Sequence, residues 1–146
     1  MTSVREAAID DISAMFDIRV SVRENAMTRE QLDDSGIDVS VVAGAITESG
    51  RGWIAEENGQ AIGFSIASRE DGSIFAVFVR PEFEGKGHGG RLLDAAVGWL
   101  CSRGFERLWL ATGPNTRAHR FYLKRGWVET GEAEENGDIH MELTCC

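Results

Sequence analysis

Residues 73–93 read SIFAVFVRPEFEGKGHGGRLL, and the rest of the chain is organised around them. The stretch opens with an apolar run through Val79 that has the composition of a buried strand. After Arg80-Pro81 come glycines at 85, 87, 89 and 90, and a new apolar pattern then starts at Leu92. Strand, glycine loop and helix together form the arrangement of a phosphate cradle. Glycine lets the backbone approach an anion with no Cβ in the way, and the first N–H groups of a helix carry partial positive charge. The stretch therefore predicts a phosphorylated ligand.

Spacing narrows the choice. A P-loop needs Gly-Lys followed by Ser or Thr to hold magnesium, whereas Gly85-Lys86 is followed by Gly87-His88, which argues against ATP. Gly85-x-Gly87-x-x-Gly90 does satisfy the dinucleotide fingerprint. That fingerprint, however, closes the first strand of a βαβ unit and is followed about twenty residues later by an acid. The next strand here ends Leu110-Ala111-Thr112 without one.

Upstream, Trp53 to Glu56, Ala61 to Ser68 and the strand before Arg80 are separated by Asn58-Gly59 and Asp71-Gly72. Asn-Gly and Asp-Gly between such runs signal tight turns, so three antiparallel strands in a meander are predicted. Downstream, Leu92, Leu93, Ala96, Val97 and Leu100 recur at helical spacing up to Arg103-Gly104. Glu106 to Ala111 is then a strand parallel to the one ending at Val79, because a helix connects them.

Nearer the start, Val4 to Ala7 predicts a strand, and Asp10 an N-cap for a helix running to about Val22. Ile12, Met15, Phe16 and Val20 form its buried stripe. Arg19 falls inside that stripe, either snorkelling to its edge or lining an acceptor pocket as a cation. Thr28 to Gln31 fits a capping box, and Asp38 suits the cap of a helix over Val39 to Glu48.

Composition sets the limits. The 146 residues, 42% hydrophobic, suit one domain spanning 1–146 with a real core. No apolar run nears the length of a membrane span, and MTSVREAAIDD lacks a signal-peptide core, which predicts a cytoplasmic location and no membrane partner. Cys101, Cys145 and Cys146 are odd in number, two of them adjacent, with no zinc spacing, so neither disulfide nor metal is expected. A formal charge of −9, from 24 acidic and 15 basic residues, argues against nucleic acid. The same charge permits a cationic acceptor.

Late in the chain, Gly113-Pro114 breaks a strand, and Asn115-Thr116-Arg117-Ala118-His119-Arg120-Phe121-Tyr122 leads to Gly126-Trp127. Asn115 is the predicted cap of this helix, and Asn115, Ala118 and Tyr122 would share a face. His119 is expected to be solvated. Trp127 to Glu132 and Asp138 to Leu143, across Asn136-Gly137, make a last hairpin.

Two of these segments resemble the signatures of the GNAT acyltransferases. Val79-Arg80-Pro81 with Glu84-Gly85-Lys86-Gly87-His88-Gly89 is similar to the family's cofactor loop, except that Glu84 stands where Gln or Arg is usual. Asn115-x-x-Ala118-x-x-Phe121-Tyr122 resembles the second signature, with Trp127 replacing a phenylalanine. The resemblance implies an α+β fold with a central, mostly antiparallel sheet, one parallel βαβ unit carrying the cofactor loop, and helices on both faces. It also implies acetyl-CoA as co-substrate, without a metal, and an amine of a small molecule or protein attacking the thioester directly. A homodimer is left open.

In that picture Phe78 and Val79 line the cofactor, and the N–H groups from Glu84 to Gly90 hold the pyrophosphate. Gly85, Gly87 and Gly89 allow close approach, while Lys86, His88, Gly90 and Arg91 add N–H groups or charge. Asn115 and Ala118 face the pantetheine arm, although Asn115 serves equally as a plain cap. Tyr122, the only tyrosine, is the implied general acid; a phenol of pKa about 10 can protonate a thiolate of basicity about 8.5. Its alternative is packing beside Phe121. Relatives place an acid mid-strand before Val79, and this chain has none there, so either water relays the proton to a more distant group, with Glu24 and then His140 as the candidate bases, or the acceptor arrives neutral. Arg19 is the candidate acceptor-binding residue. Trp53, Trp109 and Trp127 are assigned to core or sheet faces. Two rivals remain: a non-catalytic acyl-CoA-binding module, and a nicotinamide-dependent oxidoreductase.

Overall fold

Asn58 and Gly59 both take positive φ, 52° and 82°, in the computed structural model, which describes residues 2–24 and 26–145. That pair of conformations makes the tight turn demanded by a two-residue hairpin, and it folds β2 (Gly50–Glu57) onto β3 (Gln60–Ser68). The chain returns as β4 (Ile74–Val79), and β1 (Thr2–Glu6) pairs antiparallel with the other edge of β2. The expected meander is thus present, in a four-stranded sheet of order β1-β2-β3-β4.

Between β1 and β2 lie α1 (Ile12–Ser21), α2 (Arg29–Asp34) and α3 (Val39–Thr47). The cap of α2 is the capping box read from the sequence: Thr28 Oγ1 accepts from Gln31 N at 3.1 Å, and Gln31 Oε1 accepts from Thr28 N at 2.9 Å. Asp38 Oδ1 caps α3 through Val41 N at 2.9 Å. Asp10 does not cap α1. The chain enters that helix through a short 3₁₀ turn, Ile9–Asp11, and the neighbouring Asp11 carboxylate accepts from Ala8 N and pairs with Arg5 of β1.

After β4 come a 3₁₀ turn (Pro81–Phe83), α4 (His88–Ser102), β5 (Arg107–Thr112), α5 (Arg117–Lys124), β6 (Val128–Ala133) and β7 (Ile139–Thr144). β5, β7 and β6 form a second, antiparallel sheet in that order. The parallel pairing of β4 with β5 is realised only at its root, where Ser73 bridges Trp109 and Trp109 N donates to Gly72 O at 3.2 Å. A bulge accounts for the parting. Ile66 and Ala67 are consecutive on β3 but face Ala76 and Ile74, leaving Phe75 as an extra residue on β4. Such an insertion bends its strand and interrupts the ladder.

Helices cover both faces. On one, Leu92, Leu93, Ala96 and Leu100 of α4 pack against Ile62, Leu108, Leu110, Met141 and Trp127. On the other, Ile12, Met15 and Phe16 of α1 join Val42 and Ile46 of α3 over Ile54, Phe64 and Ile66.

The cysteines depart from expectation. Cys101, at the end of α4, is bonded to Cys145, just past β7, with Cα atoms 5.7 Å apart. An odd count and the absence of a local spacing say nothing about two residues 44 apart in sequence that the fold lays side by side. Cys146 lies outside the described residues.

Candidate active site

Because β4 and β5 part beyond Ser73, a wedge opens between them and continues into a cleft of about 1390 Å³. One wall is β4 and the loop leading to α4; the other is the end of β5 and the start of α5; the front is formed by α1 and the residues just after it. Arg80 N donates to Ile62 O, and the register alternates from there, so Phe78 and Ala76 bond to β3. The N–H groups of Val77 and Val79 consequently face the wedge.

The glycine loop forms one rim. Gly85 and Gly87 take φ of 78° and 87°, values that a side chain would strain. Gly87 is the residue before α4, and no side chain caps that helix. Its ladder begins when Arg91 N donates to Gly87 O, which leaves the N–H groups of His88, Gly89 and Gly90 without helical partners at the cleft. His88 is 2% exposed, and its Nδ1 lies 2.8 Å from Arg91 Nη2. Arginine only donates, so Nδ1 accepts and the imidazole is neutral. Burial pulls the His88 pKa down, and the nearby Arg91 and Lys86 add to this. His88 therefore offers a backbone N–H and a fixed Arg91, not a charge of its own. Lys86 is exposed over the Phe83 ring, outside the residues lining the cleft.

Across the wedge, α5 is capped by Thr116, whose Oγ1 accepts from His119 N at 3.1 Å. Asn115 is not the cap. It sits in the left-handed region with φ of 61°, exposed, and its N–H donates to His119 Nδ1 at 3.0 Å. Asn tolerates that conformation, and the Thr hydroxyl one residue later is then better placed to cap. Ala118 and Tyr122 line the cleft, whereas Asn115 does not. His119 is buried, contrary to expectation, because it faces the chain as it enters α5.

Tyr122 is 7% exposed, with its ring against Phe121 at 5.3 Å and Trp127 at 5.9 Å. Burial pushes its phenol above the ordinary range, which keeps the proton on oxygen at neutral pH.

This geometry is matched by known proteins. A sequence profile of the acetyltransferase (GNAT) family matches residues 12–127. The chain belongs to that family. It is 29% identical over 149 residues to the uncharacterised N-acetyltransferase YhfO of Bacillus subtilis, with 97% of this chain and 96% of YhfO covered. It is 32% identical to the [ribosomal protein bS18]-alanine N-acetyltransferase of Haemophilus influenzae over 50% of this chain and 51% of that enzyme. In structure it is similar to the PaiA N-acetyltransferase of Thermoplasma acidophilum in complex with coenzyme A. There the TM-score is 0.84 at 17% identity, with 99% of each chain covered.

In this GNAT chain Glu84, the departure from the usual loop residue, has a specific partner: its carboxylate receives Arg117 Nη1. Arg117 sits 33 residues further on, at the start of α5, so the loop's extra negative charge is offset from across the wedge. Glu24 also lines the cleft and accepts from the backbone N of Arg117 at 2.9 Å. Arg117 and Asp138 are lining residues that the sequence did not single out. No local pattern marks either; both become visible only when β5, α5 and β7 are assembled.

His140 is not brought to the GNAT cleft. It stacks on Trp109 at 4.7 Å, with Nε2 2.9 Å from Glu134. Trp53 and Trp127 are core residues. Arg19 and Phe78 meet in the cleft, with the guanidinium carbon 4.5 Å from the ring centre. The dinucleotide alternative fails on topology, since the strand before the glycine loop is the last of an antiparallel meander and meets β5 in parallel only through the Ser73–Trp109 bridge, not in a parallel sheet.

Proposed function

We propose that this GNAT acetyltransferase transfers the acetyl group of acetyl-CoA to a primary amine of a small molecule or protein. The observation that carries the reading is that an uncapped helix start, a positive-φ glycine loop and a buried protonated tyrosine share one wedge. Free N–H groups at residues 88–90 suit a pyrophosphate. The open edge of β4 at Val77 and Val79 suits an extended amide-bearing arm, which can pair as a strand does. In the reaction the amine nitrogen bonds to the acetyl carbon, the carbon–sulfur bond breaks, the thiolate takes the Tyr122 proton, and the proton that the nitrogen sheds as it becomes an amide returns through water to the Tyr122 oxygen.

The incoming ammonium must first lose a proton. β4 reads Ile74 to Val79 without an acid, so the proton leaves through water toward Glu24, whose carboxylate lies at the cleft. Glu24→Gln keeps an oxygen for the Arg117 N–H and removes only the basicity. The expected result is a loss of the acid limb of the pH–rate profile; an unchanged profile would dismiss Glu24.

Two assays test the reading as a whole. Thiol release with acetyl-CoA and an amine panel should be acceptor-dependent, and a non-catalytic acyl-CoA-binding module would release none. Acetyl-CoA at a hundred times its Kd should stabilise the protein by about 2.7 kcal/mol, while NAD should not.

Gly87→Ala tests the cradle. The substitution forces an alanine to φ of 87° and sets a methyl at the helix start. The expected cost is roughly 1–2 kcal/mol in denaturant, together with about tenfold weaker acetyl-CoA binding by calorimetry. Gly98→Ala, in the middle of α4 with nothing within 4 Å of the new methyl, should instead stabilise the fold and leave binding unchanged.

A further inference from the structure

Arg91 is held differently from its neighbours in the cleft. Arg117 gives its guanidinium to Glu84, and Arg125 donates from Nη2 to Asp94 at 2.6 Å, so a carboxylate offsets each charge. Lys86 stands over the Phe83 ring, outside the cleft. Arg91 lines the cleft, and among the described residues no carboxylate pairs with it. Its partner is His88, three residues earlier on the same face of α4, whose Nδ1 accepts from Nη2 at 2.8 Å. An imidazole that accepts from arginine is neutral, so it orients the guanidinium without cancelling its charge. A carboxylate in the same place would cancel it.

The place of that charge is specific. A Cβ on Gly87 would lie 3.4 Å from Arg91 Nη1, so the guanidinium is folded back over the residue that precedes the helix. It stands at the rim that carries the free N–H groups of residues 88–90. An exposed arginine otherwise spreads over many rotamers, and ordering it at the moment of binding weakens the complex. His88, by contrast, is poorly explained as packing. It is 2% exposed, its ring meets the Phe83 ring at 6.4 Å, and its Nε2 has no hydrogen-bond partner among the described residues. Burying an unpaired N–H is unfavourable, and an apolar side chain would fill the same space without one. What the imidazole adds is an acceptor for Arg91.

We propose that His88 is a positioning residue, which holds Arg91 as a fixed and uncancelled positive charge for the pyrophosphate of the cofactor. This rests on the acetyl-CoA reading above. Glu84 stands where the family signature has Gln or Arg, and Arg117 is committed to Glu84. The His88–Arg91 pair returns a positive charge to the same loop from one turn further along.

The test is the affinity for CoA, dephospho-CoA and pantetheine in wild type, His88→Leu, His88→Asn, Arg91→Met and the double variant His88→Leu/Arg91→Met. Arg91→Met should weaken CoA binding about tenfold by removing a charge-assisted contact. His88→Leu should weaken it about fivefold, by releasing the guanidinium and not by removing it. His88→Asn sets an amide oxygen near the place of Nδ1 and should restore most of the affinity. The double variant should bind like Arg91→Met alone, because the histidine acts only through the arginine. Dephospho-CoA, which lacks the ribose phosphate and keeps the pyrophosphate, should show the same losses; pantetheine, which has no phosphate, should show none. His88→Leu should unfold in urea no earlier than wild type. Unchanged CoA affinity in His88→Leu, no rescue by His88→Asn, or a further fivefold loss in the double variant would overturn the proposal. So would losses shared by pantetheine or absent with dephospho-CoA. Arg91→Met changes an exposed side chain and leaves the core intact, so unchanged CoA affinity in that variant overturns the proposal even where His88→Leu folds poorly. Failure of wild type to bind CoA at all would instead overturn the underlying acetyl-CoA reading.

Discussion

Tyr122→Phe is expected to lower kcat by about 10²-fold to 10³-fold while acetyl-CoA still binds and stabilises the protein as before. The ring is held on two sides by Phe121 and Trp127, and phenylalanine preserves both contacts. Only the hydroxyl is lost, and with it the proton that we propose goes to the departing thiolate. Burial holds that proton on oxygen, so the acid is in its working form throughout the neutral range. The wild-type rate should accordingly show no alkaline loss from this group until the pH passes above the ordinary phenol range. Single-turnover thiol release with saturating acetyl-CoA, beside a calorimetric Kd, separates the two roles. Unchanged turnover would reduce Tyr122 to a packing residue; a lost Kd would make it a binding residue.

The second large effect concerns stability. Replacing Cys101 and Cys145 together by serine should cost about 3–4 kcal/mol in urea, as expected for releasing a loop closed by residues 44 apart. Reductant should move the wild-type midpoint to the same place and leave the double variant unaffected. Identical midpoints for wild type with and without reductant would mean that the bond contributes nothing. The bond ties the end of α4 to the end of β7. Disulfides persist in oxidising surroundings and are reduced in reducing ones, so the contribution of the bond depends on where the protein works. Measuring the thiol content of the protein as isolated from cells settles which state is used.

Much of the site could be read locally. The glycines at 85 and 87, the uncapped start of α4, the capping box at Thr28 and the side-chain cap at Asp38 each depend on residues within one turn. Side-chain chemistry and backbone preference decide such features before any packing occurs. Two of the errors were also local in kind. Asn115 and Asp10 have the right chemistry for a cap, but a threonine one residue later and an Arg5-held aspartate one residue later changed how each helix begins. Neither shift moved the elements themselves.

By itself, then, the sequence determined the order of strands and helices, the meander, the glycine loop before α4 and the identity of the one tyrosine. These follow from alternation, turn residues and spacing, which act over a few positions. Tertiary structure decided what surrounds that loop. The bulge at Phe75 turned an expected parallel pair into an open wedge. Arg117 reached Glu84 from 33 residues away, Glu24 reached α5 from 93, and Cys101 met Cys145 from 44. The same packing buried Arg19 against Phe78 and kept His140 on the far sheet. Contacts between residues so far apart depend on how two sheets and five helices close on one another, and no pattern within a helical turn or a strand encodes that distance.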